Sequence, residues 1–269
     1  MRRDAASRRT PRALWVPAIL AFAVLLLPLL ALILRAPWNR IGSLLVASDS
    51  LSALGLSLGT AAVTTVVSLL LGVPLAAVLA ESDTWPAALR RLARAAVTVP
   101  LVLPPVVGGI ALLLLLGRNG VLGRPLDVLT GLSLPFTTPA VVLAQTFVSL
   151  PFLVLAVEGA LRGGPRRYEA LAASLGASRW YAFRRITVPL LLPGIASGAT
   201  LCFTRALGEF GATITFAGSL PGVTRTLPVA AYLGLQSDPD SAIVLALLLL
   251  AVAVVVLVSL RDRWVSGLT

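Results

Sequence analysis

The chain has 269 residues, 58% of them apolar and only 12% charged, with the apolar residues gathered in long uncharged runs; this excludes an ordinary water-soluble globule and predicts an all-α, polytopic membrane helix bundle. The formal charge of +11 comes from 22 basic side chains, all arginine. Without histidine or lysine the chain has no P-loop lysine for ATP phosphates, no HExxH zinc site, no serine–histidine triad and no histidine proton relay, so energy for any work must come from a partner or an ion gradient.

Residues 1–12 form a basic tail, and the Ser7-Arg8-Arg9 run within it reads as a chance match to a twin-arginine signal. Crossing about 30 Å of hydrocarbon as a helix takes roughly 20 apolar residues. Six stretches reach that length: residues 13–34, 51–80, 95–117, 132–157, about 189–217 and 241–260. The first is longer than an ordinary signal core and is not followed by a small-x-small cleavage site, so it is expected to remain as helix one. The second carries Gly55, Ser57, Gly59, Thr60, Ala61, Thr64 and Ser68, which with Gly208 and Gly211 in the fifth are expected to let helices pack closely. Pro74, Pro104, Pro105, Pro139, Pro151 and Pro193 should kink their helices. Gln145, in the fourth stretch, suits either a bond between helices or a pore. The fifth alone carries charge, Arg205 and Glu209; its Cys202 is the single cysteine and is expected to be a small apolar filler. A tail, residues 261–269, follows the sixth.

Arginine placement predicts the topology. With both termini cytoplasmic, sixteen arginines fall inside and five outside, with Arg205 inside a helix; this satisfies the positive-inside rule and leaves nucleic acid an unneeded partner for the basic charge.

Between the fourth and fifth stretches lies a long segment, about residues 161–188, with a helical pattern. Ala172, Leu175, Gly176, Trp180 and Phe183 recur on one face, and Gly176 should break the segment into two short helices. Such a stripe suits a protein partner, or an amphipathic helix lying on the lipid surface. The run from Glu169 through Ala170, Ala172 and Gly176 to Ile186-Thr187-Val188-Pro189 resembles the EAA loop of bacterial ABC importer permeases, with the family's spacing from glycine to isoleucine. Ala170 stands where that family has its glutamate, Glu169 is one residue early, and Val188 replaces leucine. The resemblance implies an ATPase-coupling loop built on Glu169, Ala170, Ala172, Gly176, Trp180, Phe183, Ile186 and Pro189. Further runs, Pro100 to Gly108, Arg205 to Thr213 and Pro221 to Pro228, are similar to molybdate permease subunits; sulfate permeases share the loop and general plan.

From that resemblance follow the expected partners: a second permease copy, two ATP-binding-cassette subunits that hold ATP and magnesium, a periplasmic or lipid-anchored binding protein, and the lipid bilayer. No metal or organic cofactor is expected in this chain, and molybdate would be cargo. Moving such a dianion through hydrocarbon requires donors or positive potential. Arg205, with Gly208, Glu209 and Thr213, is the candidate path or gate; equally, Arg205 and Glu209 at i and i+4 suit a structural ion pair. An ion-driven secondary transporter would need more intramembrane carboxylates than Glu209 and Glu158.

Overall fold

The computed structural model of the chain describes residues 14–163 and 165–265, which are helical nearly throughout and contain no strand. The expected tail of residues 1–12 lies outside the described residues.

Helix α1, Trp15–Leu34, is apolar on every side and buries none of its residues; its main neighbour is the last helix of the chain. A helix apolar all round belongs in lipid or against another membrane helix. After a short α2, Ile41–Val46, comes α3, Ser48–Ala80, long enough to cross a bilayer. Helices α7, Thr138–Gly163, and α10, Val188–Leu207, pack against α3 and against each other to make the central core. Ala76 and Leu79 of α3, Leu153, Val154 and Val157 of α7 and Cys202 of α10 form one buried cluster. Cys202 is thus the small core filler its sequence context suggests. The last helix, α13, is Pro239–Val265 and continues past the apolar run's end at Leu260.

A polar seam runs through this apolar core. Ser57, Thr60, Thr64 and Ser68 recur every three or four residues along α3 and are all buried. Gln145 of α7 joins the seam: its Nε2 donates to Thr60 Oγ1 at 3.2 Å, and Thr64 Oγ1 donates to its Oε1 at 3.0 Å. Of the two roles open to Gln145, the structure assigns the interhelical bond, which satisfies a group that hydrocarbon could not. Gly55 and Gly59 depart from the packing expectation. They lie on the outward side of α3, and a Cβ added to either would meet nothing within 4 Å.

Two of the six apolar stretches are interrupted. The third divides into α4, Ala87–Val102, and α5, Pro105–Leu116, whose axes differ by 116°. The third span expected from residues 95–117, with a kink at Pro104 and Pro105, is a bent pair. Leu103, ahead of Pro104, is extended at φ −64°, ψ 131°, as the residue before a proline tends to be, and neither proline has an N–H to continue a helix. Of the prolines expected to kink their helices, Pro74, Pro151 and Pro193 sit inside unbroken helices, and only the Pro104-Pro105 pair ends one. The fifth stretch leaves α10 at Leu207, turns through Gly208, Glu209 and Phe210, and resumes as α11, Gly211–Phe216. Helices α5 and α11 pack on each other and on α7 around Leu112, Val141 and Phe216.

Two more short helices lie at the end of the bundle where α3 begins: α6, Gly123–Thr130, and α12, Leu227–Ser237. At about 1.5 Å per residue both are too short to cross a bilayer. Helix α12 packs against α13 and α3, and the Leu227 N–H donates to Ser57 Oγ at 2.6 Å, satisfying a buried helix-start donor. The opposite end carries α8, Pro165–Ser174, and α9, Arg179–Ala182, joined to α10 by a π-helical turn, Phe183–Thr187.

Candidate functional site

The candidate path residues all lie on the interrupted fifth stretch, where Arg205 and Glu209 meet across the end of α10. Glu209 is 1% exposed, and its Oε1 accepts the Ala212 N–H at 2.8 Å, which caps the start of α11. Its Oε2 lies 2.7 Å from Arg205 Nη1, an ion-pair distance without the alignment of a hydrogen bond. The i, i+4 pairing expected from sequence is present, but Glu209 holds it from outside the helix, because α10 has already ended. Arg205 keeps 28% of its side chain exposed, so its charge is half-open to the surroundings while its counter-ion is sealed. Gly208 caps α10 and is exposed, and Thr213 is fully buried with an Oγ1 that has no hydrogen-bond partner among the described residues.

Glycines set the fit of α11 against α5. A Cβ on Gly109 would run into Thr215 Oγ1 and the Ala212 backbone, and one on Gly211 would meet Pro105 and Val106 at 3.0–3.2 Å. The two half-helices touch backbone to backbone, which only glycine allows.

At the other end, Gly176 separates α8 from α9 with φ +83°, a left-handed value that a side chain would strain. As expected from Gly176, the segment is broken into two short helices, which divide the stripe between them. Ala172 is buried at 8%, whereas Leu175 and Trp180 are exposed at 87% and 69%. Phe183 is exposed and its ring stacks on Trp180 at 5.8 Å. Glu169 and Ala170 lie on α8, Ile186 in the π-helical turn, and Pro189 in the first turn of α10, which is half solvent-facing. The segment thus buries Ala172 and Ala182 and presents Trp180, Tyr181 and Phe183 outward.

A group at the base of this segment escaped sequence reading. Buried Glu158 accepts at Oε1 from Arg94 Nη2 and from Arg162 Nε, each at 2.9 Å. Arg162 continues to Asp83 Oδ2 at 3.2 Å and to the Leu79 carbonyl at 3.2 Å. The i, i+4 spacing of Glu158 and Arg162 was the only local signal, since Arg94 lies 64 residues from Glu158. Among the described residues no three histidine, cysteine or acidic side chains gather to hold a metal ion.

Residues 72–267 match the family described as binding-protein-dependent transport system inner membrane component. The chain belongs to that family. It is 51% identical over 257 residues, 96% of each chain, to the molybdenum transport system permease protein ModB of Mycobacterium tuberculosis. To the protein of the same name in Escherichia coli K12 it is 42% identical over 171 residues, 64% of this chain and 75% of that one. The fold matches a crystal structure of a bacterial ABC transporter involved in the import of the acidic polysaccharide alginate, with a TM-score of 0.71 and 21% identity over 94% of this chain and 93% of that one. The inner membrane component is therefore a multi-pass transport subunit; among the described residues, five long apolar helices and one bent pair correspond to the six apolar stretches.

Proposed function

We propose that this chain is the membrane-spanning permease of an ATP-driven molybdate importer. The observation that carries the reading is the pair of interrupted helices meeting at Gly109 and Gly211 beside a half-exposed arginine, in a chain about half identical along nearly its whole length to a molybdenum permease. An unbroken helix has no free backbone groups at membrane depth, and a broken one can offer them where it lines a path. Arg205 supplies positive potential to a dianion and Glu209 holds Arg205 in place; Gly208 forms the turn between them and Thr213 lies buried on α11.

The remaining parts follow from this reading. Two copies of the chain form the path, and the outward Gly55 and Gly59 of α3, four residues apart with open space beside them, suit close approach of a second copy. A partner ATPase binds ATP and magnesium, because this chain has no lysine for a P-loop. The ATPase docks on α8 and α9, using exposed Leu175, Trp180 and Phe183. That end faces the cytoplasm with both termini, and a substrate-binding protein delivers molybdate at the end carrying α6 and α12. The chain itself carries out no chemistry and holds no cofactor. Closure of the ATPases moves the coupling segment, and the two bundles rock between inward-open and outward-open states.

The test is molybdenum uptake, read by elemental mass spectrometry, in cells expressing the chain with its ATPase and binding protein. ATP-dependent uptake suppressed by tungstate and indifferent to sulfate is expected. Suppression by sulfate moves the cargo to sulfate, and uptake without the ATPase overturns the importer reading. Within a competent system, Arg205→Gln should lower uptake roughly tenfold or more through loss of a charge-assisted contact, with ATPase co-purification retained.

A further inference from the structure

Three observations concern the end of the bundle where the coupling segment attaches. First, α7 leads into α8 within two residues, and Glu158 and Arg162 occupy its last two turns. Second, the buried Glu158 carboxylate has both its charged partners at 2.9 Å, one on its own helix and one, Arg94, on α4. Arg162 then binds Asp83 in the turn between α3 and α4, which Arg90 of α4 also approaches at 4.0 Å. Third, α4 packs on the core of α3 and α7 through Ala93 and Val97, beside an open apolar groove of about 400 Å³ that Leu75, Trp85, Pro100 and Val154 also line. Helix α4 is tied by charge through Arg90 and Arg94 in its first half, packs on the core through Ala93 and Val97, and breaks at Leu103 and Pro104 into the half-helix that packs on α11.

We propose that Glu158 is a positioning residue that binds α4 to the end of α7, so that displacement of the coupling segment is transmitted through Arg94 to the α4–α5 bend and from there to α11. The inference rests on the reading of α8 and α9 as the ATPase-docking segment. The physical reason is the cost of separating a buried carboxylate from its guanidinium partners: with Glu158 sealed and its charge balanced only by arginines, the ends of α4 and α7 move as one body. The packing of Ala93 and Val97 on the α3–α7 core carries the same motion along α4. Motion imposed near Glu158 therefore reaches α5 as a change at its N-terminus, where Pro105 and Val106 lie against Gly211.

The experiment uses the complete transporter reconstituted in lipid vesicles, with molybdate as cargo, and reads molybdenum imported per ATP hydrolysed. Arg94→Gln, with ATPase co-purification intact, is expected to lower that ratio at least about fivefold, while Arg94→Lys keeps the charge and restores most of it. An unchanged ratio in Arg94→Gln overturns the inference. A second measurement does not depend on this variant: spin labels at Leu92→Cys on α4 and Leu155→Cys on α7, both exposed positions, in a Cys202→Ser background. Their separation should be the same in nucleotide-free and ATP-trapped complexes, and a shift on trapping overturns the tie even where Arg94→Gln fails to assemble. Wild-type complexes that import nothing under ATP would overturn the importer reading itself, and this inference with it.

Discussion

Between α4 and α5 the chain turns because backbone donors are missing, whereas between α10 and α11 it turns because a carboxylate supplies an acceptor. At the first break Pro104 and Pro105 have no N–H, and the Pro104 carbonyl takes the Val107 and Gly108 N–H groups at 2.9 and 3.2 Å. Nothing but the local chain is needed. At the second, Glu209 accepts the Ala212 N–H and pairs with Arg205, so the interruption depends on one buried side chain. The contrast separates a break fixed by the local chain from a conditional one. A break made by prolines persists whatever surrounds it, while a break made by an ion pair weakens when either charge is engaged elsewhere, as an arriving anion at Arg205 would do.

The sharpest way to break the contrast is Glu209→Ala. It strips the cap from α11 and leaves Arg205 without a counter-ion, a loss of about 3–5 kcal/mol for a sealed pair and toward the lower end here, because Arg205 is 28% exposed. A clear fall in thermal midpoint in detergent and abolished uptake are expected. Glu209→Gln keeps an oxygen for Ala212 but not the charge; retained stability with impaired uptake would assign the ion pair to transport and the cap to folding. A fully active Glu209→Ala would remove Glu209 from both roles.

Gly109→Val is the next largest. It acts on the contact that both breaks serve, forcing a branched side chain against Ala212 and Thr215, for about 1–3 kcal/mol of overpacking. Uptake should fall with the melting midpoint. If stability falls and uptake per surviving transporter does not, then the α5–α11 seam is structural and carries no gate.

How much of this the sequence discloses follows the range of the forces involved. Apolar runs mark the membrane stretches, because a spanning helix must satisfy its own backbone within one segment. The break at Pro104-Pro105 is likewise local, although its 116° bend is not, since that angle depends on how α5 seats against α11. Glu209 reads as the i, i+4 partner of Arg205, yet its cap on α11 requires knowing that the helix has ended by Leu207. The cluster at Glu158 is further from reach, for its partner Arg94 comes from another helix. Ser57 and Leu227 show the same limit: a small residue on a helix face looks like packing until the donor 170 residues away arrives. In the coupling segment the stripe and the break at Gly176 are visible, but the burial of Ala172 against the exposure of Trp180 follows from the direction of a positive-φ turn that no periodicity encodes.

The smallest effect is expected from Pro104→Ala. Residue 104 would regain an N–H, but Pro105 would still lack one, would still hold its predecessor out of helical geometry, and would still begin α5 at a position that favours proline. The bend should survive, at a cost of about 0.4–1 kcal/mol from the freer unfolded chain, seen as a small drop in melting midpoint with near-normal uptake. Replacing both prolines removes the obstacle to a continuous helix through residues 95–117. Spin labels on α4 and α5 should then move apart as the two halves align, and uptake should cease. Were the double variant to keep its bend, the interruption would owe more to the seating of α5 on α11 than to the missing donors, and the two breaks would be alike in kind.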